Sequence, residues 1–188
     1  MIRLVIFDFG DTLFHAEADP RSVGTGKWEV LERDGAGWPA AVAPPDRKGI
    51  VEKAFPHVQE VLRELRRRGI WLGVASSADP DYTPFMIEAF GMGALFRHAF
   101  MAQKGDYLQN CSRKGDWVDA IIHAFNIGEC QDDPMEPHEV LFVDDLARCL
   151  NAVQKKVPGI NVVLSVPRMG EGLNYIYEVI EEINADST

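Results

Sequence analysis

Residues 2–7 form a continuous apolar, β-branched-rich run interrupted only by Arg3, and the run ends in a carboxylate, Asp8. Such a run suits a strand buried on both faces of a parallel sheet. The same form returns at 70–75, which leads into Ser76 and Ser77, and at 140–143, which leads into Asp144 and Asp145. Residues 97–101 and 160–164 predict two more strands. Helical periodicity fills the intervals. In 56–67, Val58, Val61, Leu62 and Leu65 make an apolar stripe opposite Glu60, Arg63, Glu64 and Arg67, and Gly69 closes the segment. Residues 82–90, 115–126, 146–155 and 173–183 read as further helices. Strands alternating with helices imply right-handed crossovers. The expected fold is therefore α/β: a three-layer, Rossmann-like sandwich around a mostly parallel sheet of about five strands.

Residues 14–49 break the pattern. They are rich in Gly, Pro and charge, and they predict an irregular insertion with a short hairpin near 28–32. At 188 residues a single domain carrying that insertion is the default.

The formal net charge is −10 and the sequence pI about 4.9. Phosphate-backbone binding needs clustered Lys and Arg, so a nucleic-acid partner is not expected, nor is an anionic membrane. A phosphorylated substrate stays open, because a local cation can reverse the global field. Cys111, Cys130 and Cys149 are odd in number and widely spaced, which suggests free thiols in a reducing compartment. There is no charged-then-apolar leader and no run of about 20 apolar residues. The expectation is a cytoplasmic protein.

In open parallel sheets, ligands bind outside the carboxyl ends of the strands. If the sheet is parallel, Asp8, Ser76, Asp144 and Asp145 share one rim, with Lys114 at the start of the helix before the 140–143 strand. FDFGDTL, VASS, a Lys before a helix and LFVDD, in that order, resemble the four motifs of the haloacid dehalogenase superfamily. AFPHVQEVLRELRRRGI, SRKGDWVDAI and VLFVDDLARCLNAV look most like its magnesium-dependent phosphatases with a minimal cap. The resemblance covers the sheet motifs and residues 50–165, but not 14–49.

The resemblance implies a Mg²⁺-dependent phosphomonoester hydrolase working through an aspartyl-phosphate. Asp8 would be the nucleophile. Asp8, the carbonyl of Gly10, Asp144 and Asp145 would hold Mg²⁺, with Asp145 acting through water or as an orienting group. Ser76, with Ser77 beside it, would bind phosphoryl oxygens, and Lys114 would neutralise charge. The substrate would be a phosphorylated small molecule or protein.

One position departs from the pattern. Phosphatases of this superfamily usually carry an acid/base Asp two residues after the nucleophile, where this chain has Gly10. Asp11 swinging in through Gly10, or His15, could supply the proton. The chain could instead be slow and confined to good leaving groups, or bind phosphate and metal without turnover. Metal-free 2-haloacid dehalogenase chemistry is a further rival, disfavoured by the Asp144–Asp145 pair. Each motif also has a plain structural reading: Asp8 as a turn residue, Thr12 as a helix-start cap, Asp144 and Asp145 as caps of the next helix, Lys114 as a surface lysine. Lys104 competes with Lys114 for the cationic role. His57, His98, His123 and His138 show no ligand spacing, and the acidic stretch 129–139 lacks the spacing of a calcium loop.

Overall fold

The apolar runs become the strands of one sheet, and the charged, glycine-rich stretch becomes another. A computed structural model describes residues 1–77, 81–101, 110–166 and 172–186. Along the chain come β1 (Leu4–Phe7), β2 (Phe14–Ala18), β3 (Glu29–Arg33), β4 (Pro39–Ala43) and β5 (Ile50–Ala54). Next are α1 (Val58–Arg67), β6 (Trp71–Ser76), α2 (Thr83–Ala89), β7 (His98–Met101) and α3 (Asn110–Gly128). The chain closes with β8 (Val140–Asp144), α4 (Ala147–Lys156), β9 (Asn161–Leu164) and α5 (Tyr175–Asp186).

The first sheet has the order β7-β6-β1-β8-β9 and every pairing is parallel. Its period-2 alternation divides the core. Val5, Phe7, Leu72, Val74, Leu141 and Val143 face one side and pack with α1, α2 and α5 through residues such as Leu62, Met86 and Ile176. Leu4, Ile6, Val140 and Phe142 face the other, under Val118, Ile121 and Phe125 of α3 and Leu150 and Val153 of α4. A sheet covered on both faces can use continuous apolar strands, as the sequence has. Gly73 lets α3 approach: a Cβ there would sit 3.1 Å from Ile121 Cγ2.

The insertion differs from expectation. In place of an irregular excursion, residues 14–54 carry a four-stranded antiparallel sheet of order β2-β5-β4-β3. A hairpin is present, but it joins β3 to β4 and turns at Asp34, whose carboxylate accepts the N–H groups of Ala36 and Trp38 at 2.9 Å. The strands are five residues long and only partly buried, and Ala fills many of their positions, so they leave little periodic signal. β3, β4 and β5 pair with their neighbours in sequence, and only β2 is held by a distant partner, with Phe14 opposite Ala54 at one end of the β2–β5 ladder. Local propensity does not report such pairing.

The cysteines also differ from expectation. Cys111 in α3 and Cys149 in α4 form a disulfide, and Cys130 is free and buried. The two lie far apart in sequence and meet only because α3 and α4 pack side by side. The free-thiol argument for a reducing compartment therefore fails for two of the three. No helix among the described residues is long and apolar enough to cross a membrane.

Candidate active site

β6, β1 and β8 are neighbours and parallel, so their carboxyl ends lie together. This brings Ser76, Asp8 and Asp144 to one rim, with Ser77 and Asp145 each one residue beyond a strand. Asp8 is anchored by its N–H, which donates to the Val143 carbonyl at 2.8 Å. Asp8, Ser76 and Asp144 are buried, and Ser77 and Asp145 half-buried.

Lys114, in the second turn of α3, is only 1% exposed. Its Nζ lies 2.7 Å from Asp8 Oδ1, off the hydrogen-bond direction, and donates to Asp144 Oδ2 at 2.8 Å. A buried lysine bridging two carboxylates is not a surface lysine. Lys104, its rival in the sequence, lies outside the described residues. Two contacts between α3 and α4 set the place of Lys114. One is the disulfide, three residues earlier. The other is Gly115, where a Cβ would come 2.6 Å from Lys156 Cβ and 3.0 Å from the Ala152 carbonyl, so only glycine allows this approach.

Asp8, Asp144 and Asp145 each offer a carboxylate oxygen, and these lie within 4.8 Å of one another. Burial raises the Asp144 carboxyl, against the Lys114 cation, and the Asp8 charge adds to the rise. Burial, then the charges of Asp8 and Asp144, push Asp145 up to about 6. Three crowded carboxylates facing one ammonium leave an excess of negative charge. Oxygen donors in that arrangement fit a hard divalent cation.

The loop from Phe9 to Phe14 is a tight reversal. The Phe9 carbonyl accepts the N–H groups of Leu13 and Phe14 at 2.9 and 3.2 Å. Asp11 adopts φ 55°, a left-handed conformation that Asp tolerates better than most residues. β2 follows, so Thr12 does not start a helix. Gly10 is exposed and its backbone is ordinary; a Cβ there would meet nothing within 4 Å. The missing acid at this position is therefore not imposed by space. Asp11 is exposed, and its charge contributes to the raised pKa of Asp145. His15 sits on β2, stacked on Phe55, with Nε2 3.6 Å from Glu17. The helix-cap reading of Asp144 is not met: Leu146 is the N-cap of α4 and no side chain caps it, while Asp144 Oδ1 accepts the Leu146 N–H at 2.9 Å in the turn before the helix.

Sequence reasoning missed the cavity beside this loop. It measures about 280 Å³, and Gly10, Asp11, His15, Arg47, Glu52 and Tyr82 are among its lining residues. Arg47 and Glu52 come from the antiparallel sheet and its turns, which the sequence did not reveal.

No family model and no curated protein matches the sequence at a significant level. Solved structures do resemble the chain. A candidate phosphatase from Clostridium difficile superposes with a TM-score of 0.59 at 16% identity, over 95% of this chain and 98% of that one. A haloacid dehalogenase-like family hydrolase from Streptococcus pneumoniae gives 0.53 at 14% identity, over 96% and 98%. The N-terminal part of a Bacteroides fragilis protein, containing a phosphatase domain and complexed with Mg, gives 0.53 at 17% identity, over 94% of this chain but 39% of that one. Two further matched chains are spanned to 58% and 61% of their length. The chain thus has the fold of the haloacid dehalogenase-like hydrolases.

Proposed function

We propose that this protein is a haloacid dehalogenase-superfamily phosphatase, a Mg²⁺-dependent phosphomonoesterase with the small antiparallel sheet as its cap. The observation that carries the reading is Lys114 held between Asp8 and Asp144 at the carboxyl rim of a parallel sheet. An Asp8 oxygen attacks phosphorus in line, the bond to the leaving oxygen breaks, and an aspartyl-phosphate forms. Ser76 and Ser77 donate to phosphoryl oxygens, and Lys114 offsets the charge on nucleophile and phosphate. Asp11 protonates the leaving oxygen, then takes a proton from the water that attacks phosphorus and restores Asp8. Asp8, the Gly10 carbonyl, Asp144 and Asp145 would hold Mg²⁺, which when bound supplies charge neutralisation at the phosphoryl oxygens.

The test is phosphate release from para-nitrophenyl phosphate. The expected result is turnover that needs Mg²⁺ and is lost in Asp8→Asn. Full activity in that variant would remove the nucleophile assignment. A second reading, a phosphate- and metal-binding protein without turnover, is favoured by Gly10. The two separate on a pair of variants. If Asp11 is the acid and base, Asp11→Asn lowers kcat on an alkyl phosphate, whose leaving oxygen needs a proton, by about 10² to 10⁴. If the chain lacks an acid, Asp11→Asn changes little, and Gly10→Asp, which the open space accepts, raises the rate by a similar factor.

A further inference from the structure

The cavity beside the catalytic loop is lined by one exposed cation, Arg47, whose guanidinium rests on the Tyr82 ring. Its volume, about 280 Å³, suits the leaving group of a small phosphomonoester and not a folded macromolecule. It adjoins Gly10 and Asp11, which follow Asp8 closely in the chain, so it is placed to receive the alcohol of a phosphate attacked by Asp8 in the proposed reaction. Tyr82 forms its far wall and is restrained in three ways. Its hydroxyl donates to Glu52 at 2.8 Å, Trp28 packs on it with ring centroids 5.0 Å apart, and the Arg47 guanidinium lies 4.2 Å from its ring centroid. The burial that pushes the Tyr82 phenol up keeps it a neutral donor.

Arg47 is held from below as well. Ser22, itself buried, donates from its hydroxyl to the Arg47 carbonyl at 3.0 Å, and the Gly49 N–H donates to the Ser22 carbonyl at 2.8 Å. A guanidinium stacked on a ring keeps its in-plane N–H groups free for an anion. Among the described residues Arg47 makes no ion pair, and it is the one Lys or Arg lining this cavity. The other charged groups there are carboxylates. Glu52 is held by Tyr82 on the same wall, and Asp11 lies at the catalytic end.

We infer that the substrate is a small phosphomonoester whose alcohol carries a second anionic group, a carboxylate, and that Arg47 stacked on Tyr82 selects it. This inference rests on the phosphomonoesterase reading. Its test compares 3-phosphoglycerate with glycerol 3-phosphate, two three-carbon esters that differ in the carboxylate. Wild type with Mg²⁺ should favour the carboxylate by about tenfold or more in kcat/KM, the scale of a charge-assisted hydrogen bond. In Arg47→Met the ratio should fall to about one, chiefly through KM, and Arg47→Lys should keep part of the preference. Equal rates in wild type, or a preference that survives Arg47→Met, would overturn the inference. Calorimetry of the same two compounds on Asp8→Asn protein with Mg²⁺ separates the two proposals. Arg47-dependent preference in binding without hydrolysis by wild type would sink the phosphatase and leave the pocket assignment standing. Hydrolysis without preference, or no binding of either compound, would sink the pocket assignment.

Discussion

At the scale of the residue, the site is governed by charge held out of water. Lys114 is 1% exposed and touches Asp8 and Asp144, with Asp145 close by. Removing one partner of such a group leaves the others buried without compensation, typically at about 3–5 kcal/mol. Lys114→Met should therefore destabilise the metal-free protein by an amount of that order in urea unfolding. Added Mg²⁺ should return more of the loss to the variant than it adds to wild type, because in the proposed site it would neutralise the same carboxylates. Equal stability of variant and wild type without metal would mean that the carboxylates are not mutually repelling. Asp8 and Asp144 were legible as residue types, since an apolar run ending in an acid is visible in one dimension, and Lys114 only through the resemblance carried by SRKGDWVDAI. Their meeting required the order β6-β1-β8. Gly10 was legible as a departure, but the free space around it was not.

At the scale of the element, the placement of Lys114 depends on how α3 meets α4. The disulfide between Cys111 and Cys149 closes a separation of 38 residues and joins the first turn of α3 to α4. Constraint of the unfolded chain by a loop of that size contributes about 2–4 kcal/mol. Reduction, or Cys149→Ser, should lower unfolding stability by that order, measured by urea titration with and without reductant. A loss well below this range would show that helix packing alone fixes the seam. The helices themselves followed from periodicity: α1, α2 and α4 begin and end within about two residues of the positions the pattern predicts. The antiparallel sheet did not, because its strands are short and partly exposed, β2 and β4 are alanine-rich, and β2 pairs with β5 across a long separation.

At the scale of the whole molecule, a net charge of −10 surrounds a site that is proposed to take an anion. Long-range repulsion slows the approach of a phosphate ester and is screened over roughly 10 Å at 0.1 M salt. The kcat/KM for such a substrate should rise with inert salt at constant Mg²⁺. A steep fall would show that the local field around Lys114 and Arg47 reaches beyond the mouth of the site. What the sequence determined by itself was the α/β class, the parallel sheet and the acids at its carboxyl rim, because burial on both faces writes continuous apolar strands and amphipathic helices write a 3.6-residue period. Tertiary structure alone decided that residues 14–54 form a second sheet, that Cys111 meets Cys149, that Lys114 is buried 2.7 Å from Asp8, and that Arg47, Glu52 and Tyr82 share a cavity with Asp11. Most of those bring together residues distant along the chain, such as Phe14 with Ala54 and Cys111 with Cys149. No local pattern records such contacts, since their free energy comes from the packing of completed elements.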